Sequence, residues 1–304
     1  MKEGRPSATA TLIARSTLFL SQDPHLSPLI PPVAAEACRW FLEAGMGRPV
    51  PEWQVRLMGR GWVRALASRL ERLAIPGIRL HYAVRKLYLE EAARRALAEG
   101  ITQVLVLGAG FDTLALRLHR EFPGVTFIEC DHPATQRVKR LALEPRQALG
   151  PNLHLLPVDL ARTLLPEALA SLPEYRREAD TLLVAEGLTM YLQPEEMDGL
   201  FAFLREETGP GSRFAFTFME RQAGGRVSFP SASPFVRPWL ALVGEPFTWG
   251  VRREELPRYL EERGFTLAEL ATAETLRDRY LKPRGLAGRR LAVGEYVAVA
   301  RKNR

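Results

Sequence analysis

A chain of 304 residues, 46% hydrophobic and 25% charged, can bury a sizeable core and is not a disordered polypeptide. Its formal charge of +7 comes mostly from arginine spread along the chain, without a basic block interleaved with aromatics, so no nucleic-acid partner is expected. Apolar runs such as 104–107 and 181–185 are far shorter than the roughly 20 residues of a bilayer span, and residues 1–11 lead into no secretory-signal core. No membrane partner and a cytoplasmic location are therefore expected. Cys38 and Cys130 have neither disulfide-framework nor zinc-ligand spacing, which leaves no metal site to propose, and both read as small buried apolar residues.

Residues 1–77 are predicted to form an N-terminal helical cap. Apolar residues recur at helical spacing over Ala34–Ala44 and Glu52–Leu73, and again over Ile78–Glu99, with breakers at residues 47–51 and 75–77 between them. Residues 21–33 hold four prolines with little periodicity, which predicts a loop leading from an N-terminal segment. Over 78–304 the pattern changes. The short runs Gln103–Leu107, Val125–Cys130, His154–Val158, Thr181–Ala185 and Arg213–Phe218 are rich in Val, Leu, Ile, Phe and Thr and read as strands. Helical segments Thr113–Glu121, Pro133–Leu143, Leu160–Leu172 and Pro194–Glu206 alternate with them, which makes the sheet mostly parallel. Residues 221–250, with Gly224, Gly225, Pro230, Pro234 and Pro238 as breakers among Phe and Trp, predict an inserted lid after strand five. A helix at Arg253–Arg263 and strands near Phe265–Leu270 and Glu295–Ala300 complete the prediction. The fold class is α/β: a Rossmann-like, seven-stranded, mostly parallel sheet with helices on both faces.

The chemistry is expected where the first strand ends, at Gly108-Ala109-Gly110-Phe111-Asp112-Thr113. Glycine lets backbone approach a ligand closely, and open parallel sheets bind ligands beyond their carboxyl ends where the strand order reverses. A tight turn with no ligand is the plainer alternative. A dinucleotide fingerprint needs a third glycine, and Thr113 stands in its place; Asp112 would also repel a pyrophosphate at the helix start. S-adenosylmethionine fits this turn better than a nicotinamide dinucleotide.

The second strand ends in Glu129-Cys130-Asp131, about 20 residues downstream, where a carboxylate can accept from both ribose hydroxyls. Asp131 also suits the cap of a helix starting at Pro133. Asp159 and Leu160 follow the third strand, suited to an adenine amino group and ring face, with a simple helix cap as the alternative for Asp159. Glu186 follows the fourth strand and borders the methionine part or the substrate, with Tyr191 placed to position an acceptor. Glu186 as a surface charge and Tyr191 as core packing are the alternatives.

These motifs, together with Gln136, Lys139 and Glu186-Gly187-Leu188-Thr189-Met190-Tyr191-Leu192, resemble the leucine carboxyl methyltransferase family, including its bacterial branch of polyketide-type O-methyltransferases. The resemblance is best over 78–206. It implies class I S-adenosylmethionine-dependent methyl transfer, with Gly108 against the cofactor, Asp131 on ribose, Asp159 and Leu160 on adenine, and Glu186 on the methionine side. It also implies an arginine ahead of the glycine turn that holds the cofactor carboxylate, a task suited to a bidentate guanidinium. Arg85 is preferred to Arg79 and Lys86. The expected acceptor is a small acidic or aromatic molecule, methylated on a carboxylate or hydroxyl, since Phe229, Phe235, Trp239, Phe247 and Trp249 can wall an apolar pocket or else bury the insertion itself. A protein C-terminal carboxylate, a non-catalytic cofactor module and a nicotinamide dehydrogenase are the competing readings.

Overall fold

The computed structural model describes residues 6–160 and 162–303. Helices precede the sheet: α1 (Ala8–Ser21), α2 (Pro32–Met46), α3 (Glu52–Met58), α4 (Gly61–Ala74) and α5 (Ile78–Ala98). The pattern of residues does not single out α1, because Ser and Thr blur the helical signal. Here Ser16 and Thr17 turn their hydroxyls back onto the Leu12 and Ile13 carbonyls, and Ser7 caps the helix by accepting from the Ala10 amide at 3.1 Å. The helix expected over 52–73 is two helices. After α3 the backbone of Arg60 is extended, with φ −71° and ψ 134°, and α4 starts afresh beyond it.

The strands are β1 (Gln103–Leu107), β2 (Thr126–Asp131), β3 (Leu153–Pro157), β4 (Thr181–Ala185), β5 (Arg213–Met219), β6 (Phe265–Ala271) and β7 (Glu295–Lys302). They form a seven-stranded sheet in the order β3-β2-β1-β4-β5-β7-β6. Every pairing from β3 to β5 is parallel, and β7 runs antiparallel between β5 and β6. All residues of β1 and β4 are buried, as the continuous apolar runs require of central strands covered on both faces.

Between the strands lie α6 (Leu114–Leu118), α7 (Pro133–Leu143), α8 (Leu165–Ala170), α9 (Pro194–Glu206), α10 (Val236–Val243), α11 (Leu256–Glu261) and α12 (Ala273–Leu276). Of these, α6, α8 and α11 are shorter than their sequence patterns suggest. One hydrophobic cluster joins the sheet to α5, α6, α7 and α12, and it also takes in Leu18 of α1 and Phe41 of α2. The opposite face packs on α8, α9 and α11 through Leu169, Phe201 and Leu260. The N-terminal helices thus share the core of the sheet. β1 lies between β2 and β4, so chain order reverses there and a crevice opens at the carboxyl ends of β1 and β4.

Candidate active site

A cleft of about 1100 Å³ occupies that crevice. Its floor is the turn after β1. Gly108 has φ +59°, a left-handed conformation that strains any side chain, and a Cβ there would stand 3.0 Å from Cδ1 of Leu188. The Asp131 carboxylate at the end of β2 accepts from the Gly110 amide at 2.6 Å and from the His132 amide at 2.7 Å. Burial pushes this carboxyl above its ordinary value, and those two N–H groups oppose the shift. The cap of α7 is taken instead by the His132 ring, which accepts from Ala134 at 3.2 Å. Asp131 is therefore not the N-cap of that helix, although the Thr135 side chain in its first turn also hydrogen-bonds the carboxylate.

Beyond β3, Asp159 and Leu160 line the same cleft, with Asp159 4.0 Å from the His132 ring and 3.6 Å from Arg162. Glu186 and Tyr191 enter from β4. Arg85, Gly108, Ala109, Gly110, Asp112, Asp131, Asp159, Leu160, Glu186 and Tyr191 all border one space.

Glu129 does not. It lies two residues inside β2, one pleat repeat or about 7 Å below the strand end, where it is fully buried and ion-paired with Lys139 of α7. Burial pushes its carboxyl up, and Lys139 offsets part of that shift. Lys139 also donates to the Asp112 carbonyl at 2.7 Å, so the pair braces the glycine turn from beneath.

A chain of alternating charges runs along the cleft wall. The Arg85 guanidinium donates through Nε and Nη2 to Oε1 of Glu186, at 3.0 and 2.8 Å, and through Nη1 to Oε1 of Glu295 at 2.6 Å. The other Glu295 oxygen lies 3.1 Å from the His81 ring. Glu186 continues to Lys86 at 3.0 Å, and Lys86 to Asp112. Burial disfavours ionisation of Asp112, yet Lys86 and Lys139 outweigh it and hold the carboxyl well below the carboxylate range. Arg79 is elsewhere: it is tied to Glu71 and, at 2.6 Å, to the Ala67 carbonyl of α4.

Two parts of this arrangement are not evident in the sequence. Glu295 and His81 complete the charge chain, although a glutamate opening an apolar strand is a visible hint. Ser7 and Thr9, at the start of α1, donate to the two carboxylate oxygens of Glu245, Ser7 at 3.0 Å, and so clasp the insertion across the mouth. Among the described side chains, the aromatic residues of the insertion do not line the cleft. Phe229 and Phe247 pack with Tyr191, whose ring lies 5.6 Å from that of Phe247; Trp249 is buried beside Tyr259, and Phe235 is exposed. The Trp239 side chain lies outside the described residues. For Phe229, Phe247 and Trp249, the expected apolar wall is thus the packing of the insertion itself.

Comparison with known proteins places this geometry. A family model described as leucine carboxyl methyltransferase matches residues 8–205. A Mycobacteroides abscessus protein described as a candidate S-adenosyl-L-methionine-dependent methyltransferase is 30% identical over 298 residues, covering 90% of this chain and 89% of its own length. YktD of Bacillus subtilis, described in the same words, is 26% identical over 201 residues and 66% of each chain. The crystal structure of a candidate methyltransferase from Thermobifida fusca shares the fold, with a TM-score of 0.54 at 19% identity over 90% of this chain and 98% of that one. The matched stretch contains the glycine turn, Asp131, Asp159 and the segment from Glu186 to Leu192, the parts that build the cleft, and the chain belongs to the leucine carboxyl methyltransferase family.

Proposed function

We propose that this protein is an S-adenosylmethionine-dependent O-methyltransferase acting on a hydroxyl or carboxylate of a small molecule. The observation that carries the reading is the convergence of the glycine turn, Asp131, Asp159, Leu160 and Glu186 in one cleft at the strand-order reversal. The side chains fit that cofactor chemically. Asp131 has acceptor capacity left for a ribose diol, Asp159 suits an amino group of adenine, and Leu160 offers an apolar border for a ring. Arg85 and Lys86 bring positive charge for a carboxylate, and Glu186 brings negative charge for an ammonium. The volume exceeds the ~300–1,000 Å³ of most small-molecule pockets, which leaves room for cofactor and acceptor together.

S-adenosylmethionine supplies a methyl group on a sulfonium, an electrophile for in-line displacement. The protein's part is to align the acceptor oxygen and exclude water. The clasp of Ser7 and Thr9 on Glu245 roofs the cleft for the second task, in keeping with residues 1–77 acting as a cap on a methyltransferase domain formed by 78–304. Tyr191 serves the first. Burial pushes its phenol well above the ordinary value, so near neutral pH it is a hydrogen-bond donor and not a base. Both Glu186 oxygens are engaged by cations, so its part is to hold Arg85 and Lys86 in place. A carboxylate acceptor, already ionised, suits a cleft with this equipment, and Tyr191 with Leu192 gives it an aromatic and apolar border.

Calorimetry with S-adenosylmethionine, S-adenosylhomocysteine and NAD, followed by mass spectrometry of a panel of small carboxylic acids and phenols, tests the reading. Binding of both adenosyl ligands, and gain of one methyl on an oxygen, is the expected result. Binding of NAD alone, or methylation of nitrogen only, overturns it.

A further inference from the structure

Helix α4 is amphipathic with its faces reversed. Trp62, Leu66, Leu70 and Leu73 fall at i, i+4, i+8 and i+11, one stripe of a helix, yet they are 65%, 51%, 59% and 73% exposed, and no residue of α4 is buried. The polar edge faces the protein instead. Arg64 reaches Asp23 at 3.5 Å, Glu71 pairs with Arg79 of α5, and Arg79 also takes the Ala67 carbonyl. A soluble surface helix buries its apolar stripe; this one is tied down by ion pairs so that the stripe points outward.

The surroundings are basic. Residues 47–75 hold six arginines and two acids; of the acids, Glu71 is turned inward and Glu52 pairs with Arg39. Arg56, Arg60, Arg69 and Arg72 are exposed and, among the described residues, make no ion pair. At the end of α4 the Ala74 carbonyl accepts from Ser233 of the insertion at 2.7 Å, and two residues further Phe235 is 82% exposed. The apolar stripe therefore abuts the segment that roofs the cleft.

We propose that α4 is an interfacial helix that seats the protein on a bilayer surface bearing anionic headgroups. A Trp- and Leu-rich stripe flanked by arginines gains both from apolar insertion and from attraction to negative lipid. Among the described residues no helix is long and apolar enough to span a bilayer, and a helix lying in the interface need not be. A second copy of the chain is a poorer occupant, because an isologous contact sets the exposed arginines of one copy against those of the other.

Co-sedimentation of the full chain with vesicles of phosphatidylcholine alone, or mixed with phosphatidylglycerol, tests this. Binding is expected only to the mixed vesicles, to fall with added salt, and to be abolished in Leu66→Ser/Leu70→Ser. Arg69→Gln/Arg72→Gln should weaken it by about fivefold per arginine. All four side chains are exposed, so circular dichroism and thermal melting of these variants should match the parent. No binding to mixed vesicles, equal binding to both kinds, or binding that survives the double serine variant overturns the proposal. So does a dimer in sedimentation equilibrium that the double serine variant dissolves.

Discussion

Nη1 of Arg85 lies 2.6 Å from Oε1 of Glu295, joining α5 to β7 across 210 residues of chain, with neither side chain more than 2% exposed. A buried guanidinium is costly to dehydrate and is retained only when its partners are in place. Glu295 is thus a positioning residue: it takes one side of Arg85 so that the other side meets Glu186 at the cleft. Glu295→Ala should lower stability by about 3–5 kcal/mol, the cost of stranding one member of a buried pair. Urea unfolding at neutral pH measures it, and a loss below about 1 kcal/mol, the scale of an exposed pair, contradicts the role.

The same pair sets an acid limit. Burial alone would raise the Glu295 carboxyl, but Arg85 and His81 outweigh it and depress it from 4.5 to about 2. A group depressed on folding binds fewer protons in the native state, so its stabilisation is complete above the unfolded value and is lost as pH falls through the folded one. The stability gap between the parent and Glu295→Gln should therefore be constant above about pH 5 and shrink between pH 4.5 and 2. Unfolding curves of both proteins across that window provide the check. A gap that widens on acidification reverses the assigned sign.

Much of this arrangement is legible in the sequence. β1 and β4 announce themselves as unbroken apolar runs because they are covered on both faces, and the glycine turn follows from a strand running into Gly108 and Gly110. The rim position expected of Glu129 fails for a reason that strand geometry supplies. It shares a face with Asp131, and only depth along the strand separates a rim carboxylate from one buried against Lys139. The contact of Arg85 with Glu295, and the clasp of Ser7 with Glu245, join residues more than two hundred positions apart, beyond the reach of any local period. Likewise, the apolar stripe of α4 is visible as a pattern, but its outward direction is set by Asp23 and Arg79 on other elements.

Arg85 and Arg79 stand six residues apart on α5 and have separate tasks. Arg85 borders the cleft, whereas Arg79 anchors α4. Arg85→Met should weaken S-adenosylhomocysteine binding by at least about tenfold, as loss of charge-assisted hydrogen bonds worth about 1.5–3 kcal/mol requires. Arg79→Met should leave that affinity within about twofold, the ±0.5 kcal/mol typical of remote substitutions, while making α4 more susceptible to limited proteolysis. The opposite order in the same titration moves the carboxylate clamp to Arg79.

Asp131→Asn keeps an acceptor for one of the two backbone amides, those of Gly110 and His132, and removes the charge. A diol bound by a carboxylate loses about 1.5–3 kcal/mol when the acceptor becomes neutral, so S-adenosylhomocysteine affinity should fall about tenfold or more with a small change in melting temperature. Calorimetry and a melt on the same sample separate the two effects. Unaltered affinity removes Asp131 from the ribose site.

Tyr191 gives the sharpest division between binding and turnover. Its ring is fixed against Phe247, 5.6 Å away between centroids, so Tyr191→Phe should keep the packing and delete only the hydroxyl. If that hydroxyl orients the acceptor, kcat/KM should fall by about fivefold, the worth of a hydrogen bond of ~1 kcal/mol, while S-adenosylhomocysteine affinity stays the same. Because burial raises the phenol above its ordinary value, the parent enzyme should show no change of rate attributable to Tyr191 up to about pH 9. A rate that climbs below that pH, and loses the climb in Tyr191→Phe, would make the phenolate a base and replace the positioning role with proton removal.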